Sequence, residues 1–202
     1  NRLRAGGQPL VALLPGSRRH VVSEILPGQL EVAAGIRVRF PQAGFALSVA
    51  SASVAATVRD VLARGPSGLR LSCVEGSPGA VISAADLVLV ASGTTTLEVA
   101  YHRKPMIAMY NASRVFYHLL GRWLLTTPHL SLPNILAGRR VVPEFMPYYA
   151  STKPIVESAM RILGDAGERS RMTLALGELA DRLSGRGASA RVAQMLVGLG
   201  GG

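Results

Sequence analysis

The chain has 202 residues, of which 49% are apolar and 17% charged, so a disordered protein is excluded and a core of ordinary size is possible. Its 22 basic and 12 acidic residues give a formal net charge of +10, which favours an anionic partner: nucleic acid, a phosphorylated ligand or an acidic membrane surface. A single cysteine, Cys73, excludes an internal disulfide and a cysteine-based zinc site, and favours a reducing, cytoplasmic setting.

Short apolar runs alternate with longer helical patterns over the first 110 residues. Leu10–Leu14 is an apolar run stopped by Pro15 and Gly16, which predicts a buried strand. Helix 21–36 contains Pro27 and Gly28, which we expect to kink or divide it. Further strands are predicted over 45–50, 69–74, 86–91 and 106–110, and further helices over 54–63, 79–85 and 94–102. Cys73 falls inside a predicted strand and is expected to be a small core residue.

The alternation is expected to stop after residue 110. Residues 114–125 form an amphipathic pattern whose apolar face, from Phe116 to Trp123, indicates either core packing or a membrane contact. A proline-containing loop covers 126–138, and helices are predicted over 153–163, 169–183 and 188–197. The fold class is therefore α/β, a Rossmann-like parallel sheet with helices on both faces and a helical C-terminal tail. We expect residues 1–150 to form this ligand-binding lobe and 151–202 a helical extension packed on it.

Two turns at strand ends are candidates for binding an anion. Because ligands of such sheets bind beyond the carboxyl ends of the strands, Gly16, Ser17 and Arg18 after the first strand are one candidate. Ser92, Gly93 and Thr94, between the fourth strand and a helix, are the other, since free N–H groups and the helix dipole favour a diphosphate there. Glu98, one turn into that helix, is placed to accept hydrogen bonds from ribose hydroxyls. The alternatives are a solvated arginine at the first turn and simple helix capping at the second.

Other residues of the chain limit the kinds of ligand that we expect it to bind. Asn134, in an apolar loop, can donate and accept hydrogen bonds at once, which suits a base edge or a sugar hydroxyl, although it could equally cap the following helix. The four histidines have no metal-ligand spacing, so no metal site is expected. With no run of basic residues and only 5% aromatic residues, the chain is not expected to bind nucleic acid.

The strings around these residues resemble the C-terminal half of the bacterial lipid-A-disaccharide synthase family. They are Leu13-Leu14-Pro15-Gly16-Ser17-Arg18-Arg19, Ala91-Ser92-Gly93-Thr94 with Thr96-Leu97-Glu98, Lys104-Pro105-Met106, Ser131-Leu132-Pro133-Asn134-Ile135-Leu136-Ala137-Gly138-Arg139 and Val141-Val142-Pro143-Glu144-Phe145. The resemblance implies the nucleotide-binding lobe of a two-lobed GT-B glycosyltransferase whose N-terminal acceptor lobe is absent from this chain. Such enzymes transfer 2,3-diacylglucosamine from UDP to 2,3-diacylglucosamine 1-phosphate at the cytoplasmic face of the inner membrane.

The resemblance also implies roles for individual residues. Gly16, Ser17, Arg18 and the Ser92–Thr94 turn would hold the diphosphate, Glu98 the ribose and Asn134 the uridine or sugar. Arg18 and Asn134 would be the catalytic residues of this lobe, with the general base in the missing lobe and no bound cofactor. The expected partners are the UDP-sugar, the phosphorylated acylated acceptor, the N-terminal lobe and an anionic membrane surface.

The chain departs from the family pattern at several positions. Val21 stands where the family usually has glutamate, and Asn111 follows Tyr110 where arginine is usual. Arg140 and Pro147 replace the usual glutamate and glutamine after the last string. A divergent homologue with a binding or scaffold role, or another UDP-sugar enzyme such as an epimerase of similar fold, is therefore the alternative.

Overall fold

The computed structural model describes residues 3–111 and 128–184, within which six strands and seven α-helices form one α/β unit. A short 3-10 turn, Arg4–Gly6, precedes them. In chain order the elements are β1 (Leu10–Leu14), α1 (Arg19–Arg39), β2 (Gly44–Val49), α2 (Ala52–Arg64), β3 (Leu71–Glu75), α3 (Pro78–Ala84), β4 (Leu87–Ala91), α4 (Thr95–Tyr101), β5 (Met106–Met109), α5 (Leu132–Ala137), β6 (Glu144–Phe145), α6 (Lys153–Gly164) and α7 (Ala166–Ser184).

The six strands form a single parallel sheet in the order β3-β2-β1-β4-β5-β6. Strands β1, β2, β4 and β5 are buried along their whole length, which explains why they are continuous apolar runs rather than alternating ones. The chain reverses its direction across the sheet between β1 and β4, which pair directly, with Leu14 opposite Val90. The predicted Rossmann-like fold is confirmed.

Helices cover both faces of the sheet. Right-handed crossovers place α1 and α2 on one face and α3 and α4 on the other. Helix α6 packs on α1, where a Cβ on Gly35 would lie only 2.7 Å from Val156 Cγ2, and α7 packs on α4. The last two helices of the described chain thus lie on opposite faces, and the short turn between them passes around the sheet.

Helix α1 runs without interruption through Pro27, so Pro27 does not divide the helix, and the alternative expectation of a kink stays a prediction. Pro27 itself is exposed, whereas Leu26 and Gly28 on either side of it are buried. Gly28 lies directly under the Tyr149 hydroxyl. Proline has no backbone N–H, so the helix loses one hydrogen bond at Pro27. The packing of the buried residues on both sides of Pro27 compensates for this loss.

Three further expectations differ from the structure. The alternation does not stop at residue 110, because β6 adds a strand beside β5, and part of the predicted loop 126–138 is helix α5. Cys73 is exposed rather than a core residue, because β3 lies at the edge of the sheet and none of its residues is fully buried. The helices predicted over 114–125 and 188–197 lie outside the described residues.

Candidate functional site at the carboxyl ends of strands β1 and β4

The turns after β1 and β4 lie against each other at the point where the sheet reverses its winding. A Cβ built on Gly16, two residues beyond β1, would lie 3.8 Å from the Cβ of Ala91, the last residue of β4. Because helices α1 and α4 leave toward opposite faces, a crevice opens between the two turns, and open α/β sheets bind their ligands at such switch points. Both anion-binding turns predicted from the sequence are therefore brought together.

The turn after β1 leads directly into the amino terminus of α1. Gly16 has φ +108°, a conformation that favours glycine, and a Cβ there would approach Val21 Cγ1 to 3.0 Å. Ser17 and Arg18 are exposed, and the Arg18 carbonyl accepts the Val22 N–H at 3.0 Å as the helix begins. The turn therefore presents a hydroxyl, a guanidinium and the first N–H groups of a 21-residue helix on one side of the crevice.

Two adjacent arginines in this turn have different environments. Arg19 Nε donates a 2.8 Å hydrogen bond to the Ser53 carbonyl, which ties it to α2. The Arg18 side chain makes neither a hydrogen bond nor an ion pair with any described residue. Arg18 is thus the guanidinium that remains available for a ligand.

The turn after β4 has an open backbone. The Ser92 N–H donates to the Met109 carbonyl at 2.9 Å, which continues the pairing with β5, whereas the N–H groups of Gly93 and Thr94 donate to no described residue. Gly93 has φ +149°, and no heavy atom lies within 4 Å of its Cβ position. Thr96 is buried and its Oγ1 donates to the Gly93 carbonyl at 2.6 Å, so this hydroxyl stabilises the turn. The N–H groups of Gly93 and Thr94 are therefore exposed and remain available to a ligand.

Glu98 extends the crevice toward α3. Its Oε1 lies 3.8 Å from the Cβ position of Gly79, in the first turn of α3, and the side chain is partly buried. The His102 Nε2, one turn further along, lies 3.5 Å from the same position, and His102 Nδ1 is 3.1 Å from Ser83 Oγ. Glu98, the residue predicted to bind the ribose, therefore lies beside the first turn of α3, the helix that follows β3.

Asn134 has a structural role in this structure. Its side chain is fully buried, its Oδ1 accepts the N–H groups of Val141 and Val142 at 2.7 and 2.9 Å, and its Nδ2 donates to the Val142 carbonyl at 2.9 Å. These hydrogen bonds join α5 to the segment that leads into β6. The predicted uridine or sugar contact and catalytic role of Asn134 gain no support from this geometry, because both oxygen lone pairs are already used.

Glu144 completes the same loop. Its carboxylate accepts the Ser131 N–H at 2.8 Å and the Leu130 N–H at 3.3 Å. Burial raises the pKa of this carboxyl, but the hydrogen bonds from Ser131, Asn134 and Leu130 together outweigh burial, so the pKa lies below its ordinary value. The Glu144 carboxylate is therefore held ionised as a structural acceptor.

Sequence reasoning missed Gln29, which joins the two strands that flank the crevice. Gln29 is fully buried on α1, and its Nε2 donates to the carbonyls of Leu14 in β1 at 3.3 Å and Leu89 in β4 at 3.0 Å. Its Oε1 has no hydrogen-bond partner among the described residues. The only signal in the sequence is a polar residue on an otherwise apolar face of the helix.

Over residues 3–111 and 128–184, no three histidine, cysteine, aspartate or glutamate side chains lie close enough to hold a metal ion. No helix in the same ranges is long and apolar enough to cross a membrane.

The solved structures with a similar fold include a glycosyltransferase and a UDP-sugar epimerase. A lipopolysaccharide-biosynthesis glycosyltransferase, WaaG, has a TM-score of 0.57 at 15% identity, over 97% of this chain and 48% of that one. UDP-GlcNAc 2-epimerase of Neisseria meningitidis, solved with UDP-GlcNAc, has a TM-score of 0.53 at 13% identity, over 95% and 44%. At these identities the likeness defines the fold, which is that of one lobe of a GT-B glycosyltransferase.

The sequence comparisons identify the family. The family model described as lipid-A-disaccharide synthetase matches residues 5–183, and the chain belongs to this family. The lipid-A-disaccharide synthase of Anaeromyxobacter dehalogenans strain 2CP-C is 36% identical over 189 residues, which is 94% of this chain and 49% of the relative. That of Pseudomonas aeruginosa strain UCBPP-PA14 is 35% identical over 167 residues, or 83% and 43%. The chain thus spans about half the length of these relatives, and the resemblance noted in the sequence is confirmed.

Proposed function

We propose that this chain is the UDP-sugar-binding lobe of a lipid-A-disaccharide synthase, which transfers 2,3-diacylglucosamine from UDP to 2,3-diacylglucosamine 1-phosphate. The observation that carries the proposal is the contact between the Gly16 turn and the end of β4 at the switch point of the sheet. The nucleotide and the sugars in this proposal are those that the family resemblance implies. In the whole enzyme a second lobe would close over the crevice, bring the acceptor and supply the general base.

The diphosphate would lie between the two turns. The Arg18 guanidinium would approach the diphosphate from the β1 turn, and the N–H groups of Gly93 and Thr94, which donate to no described residue, would approach it from the β4 turn. As the glycosidic bond to UDP breaks, negative charge grows on the β-phosphate, and preorganised donors stabilise that charge without a metal ion or a cofactor. Each charge-assisted hydrogen bond contributes about 1.5–3 kcal/mol. Glu98 would accept hydrogen bonds from the ribose hydroxyls.

The location of the reaction follows from its substrates. Both sugars carry acyl chains, so we propose that the enzyme works as a peripheral protein on the cytoplasmic face of the inner membrane, against an anionic surface.

A pair of neighbouring variants tests the nucleotide site. In Arg18→Gln, the loss of one charge-assisted contact should weaken UDP binding about tenfold or more, measured by isothermal titration calorimetry. Arg19→Gln is the matched control, because it makes the same chemical change in a side chain bound to Ser53, and UDP affinity should stay within about twofold. If UDP causes no heat and no rise in melting temperature at millimolar concentration, or if both variants bind equally, the assignment of Arg18 fails.

A binding or scaffold role without transfer is the second candidate, and Val21 favours it. This side chain faces the Gly16 turn at 3.0 Å from the Cβ position, where the family resemblance leads us to expect a carboxylate. An aliphatic group there removes a proton acceptor from beside the proposed diphosphate. Transfer of diacylglucosamine by the complete two-lobed protein would exclude this candidate, whereas UDP binding without transfer would support it.

A further inference from the structure

A second group of cationic side chains lies beside the β6 edge of the sheet. A cavity of about 560 Å³ is bounded by residues 139–143, which lead into β6, and by helices α6 and α7. None of its lining residues belongs to the turns after β1 and β4. Its charged lining residues are Arg139, Arg140, Arg161, Arg171, Glu157 and Glu168.

Two of the four arginines already have carboxylate partners. Arg161 Nε donates to both oxygens of Glu168 at 2.9 and 3.0 Å, and Arg139 lies 3.7 Å from Glu178. These pairs are largely exposed on the arginine side, where the side chains are each 60% accessible. They therefore contribute little to stability and leave the arginines free to exchange partners.

The other two arginines, Arg140 and Arg171, form neither a hydrogen bond nor an ion pair with any described residue. The acidic group whose pKa Arg171 influences is Asp165. The Asp165 Oδ1 accepts the N–H groups of Gly167 and Glu168 at 2.7 and 3.1 Å, where it caps the start of α7. Asp165 Oδ1 is thus used by the helix, and neither guanidinium group donates a hydrogen bond to a described residue.

The wall behind the charges is apolar. Val142 and Met172 are buried, and Phe145 is partly buried beside them. Ser158, also in this wall, is 4% exposed, and its Oγ has no hydrogen-bond partner among the described residues. Arg140 and Arg171 are themselves exposed, but an anion held against this apolar wall would be partly shielded from water, which strengthens charge-assisted hydrogen bonds.

We propose that this cavity binds a phosphate group, held by Arg140 and Arg171, as a site separate from the proposed nucleotide crevice. Phosphate is the anion that fits best, because two planar guanidinium groups can each donate paired hydrogen bonds to its oxygens. The shared chemistry of the ligand is a phosphate ester, which a soluble sugar phosphate or a phospholipid headgroup would both supply.

The test compares two double variants of the 202-residue chain with equal loss of charge. Arg140→Gln with Arg171→Gln removes the proposed ligands, whereas Arg59→Gln with Arg64→Gln removes two charges from α2, outside the cavity. Binding is measured for glucosamine 1-phosphate by calorimetry, and for vesicles of phosphatidylcholine with and without phosphatidylglycerol by sedimentation. Thermal melting verifies that each variant folds.

Binding of the sugar phosphate or of the phosphatidylglycerol vesicles should fall about tenfold or more in the Arg140/Arg171 variant and less than about threefold in the Arg59/Arg64 variant. If the Arg140/Arg171 variant loses the binding of glucosamine 1-phosphate, the cavity is a site for a soluble sugar phosphate. If it loses only the binding of phosphatidylglycerol vesicles, the cavity is a site for a lipid headgroup. Failure of both probes to bind, or equal losses in the two variants, would overturn the proposal. Arg18→Gln keeps the two proposals distinguishable, since it should weaken UDP binding without changing phosphate binding in the cavity.

Discussion

Replacing Asn134 by alanine distinguishes a structural role from a ligand-binding one. The change removes three hydrogen bonds between α5 and the segment that leads into β6. The N–H and carbonyl groups of Val142 are then left buried without partners. A hydrogen bond is worth about 1 kcal/mol net, and each orphaned buried group costs more, so the free energy of unfolding should fall by about 2–4 kcal/mol.

A protein of this size loses about 2–4 °C in melting temperature for each kcal/mol. Asn134→Ala should therefore melt about 5–15 °C lower, as measured by circular dichroism. UDP affinity, measured by calorimetry well below the melting temperature, should stay within about twofold of the parent chain, because the side chain touches nothing in the crevice.

Gln42→Ala is the matched control, since this amide is exposed and its side-chain hydrogen bond is to Arg70 at the surface. Its effect on the free energy of unfolding should remain within about 0.5 kcal/mol. An unchanged melting temperature in Asn134→Ala together with a tenfold weaker affinity for UDP would refute the structural role and return Asn134 to the nucleotide site.

Three further predictions concern the packing around β6 and α1. Because the pKa of Glu144 is lowered in the folded chain, the parent should be more stable than Glu144→Gln at pH 7, and this difference in the free energy of unfolding should shrink as pH falls below about 4.5 through the folded pKa. Urea unfolding at several pH values measures the difference. A difference that does not change with pH would contradict the prediction. Gly28→Ala places a Cβ against the Tyr149 hydroxyl and 3.0 Å from Cζ, so it should lower the free energy of unfolding by about 1–3 kcal/mol. The loss should be smaller when the same change is made in the Tyr149→Phe background. Equal losses in both backgrounds would show that the two residues do not interact. Burial and the nearby Glu31 raise the pKa of Tyr149 from 10.0 to about 12, so the free energy of unfolding should decline as pH rises through this interval. An ultraviolet titration with Tyr149→Phe as the blank measures this pKa. Ionisation of Tyr149 near pH 10 would disprove its burial.

The central part of the fold could be predicted from the sequence because each buried strand is a continuous apolar run. The four strands β1, β2, β4 and β5 are found within one or two residues of the predicted bounds. β6 could not be predicted, because two residues carry no periodicity and the strand exists only through its pairing with β5. The continuity of α1 through Pro27 could not be predicted either, because the tertiary contacts on both sides of the proline are invisible in local sequence.

In the candidate site, too, features set by local sequence could be predicted, and features set by tertiary contacts could not. The positions of the two turns could be predicted because glycine and hydroxyl residues follow an apolar strand and precede a helix, whereas the binding of an anion there stays a prediction. The distinction between Arg18 and Arg19 could not, because it depends on the Ser53 carbonyl, 34 residues along the chain. The role of Asn134 likewise depends on the backbone of Val141 and Val142, which only the folded loop brings within reach.

The hydrogen bonds of Gln29 have a mechanical consequence for the crevice. One side chain on α1 is hydrogen-bonded to the carbonyl of Leu14 at the end of β1 and to that of Leu89 in the middle of β4, so a movement of this helix acts on both strands at once. The turns that follow these two strands are thereby coupled, and a lobe that moves to close on its substrate would carry them together. Gln29→Leu should release this linkage, and amide hydrogen exchange in both turns should quicken together rather than in one turn alone.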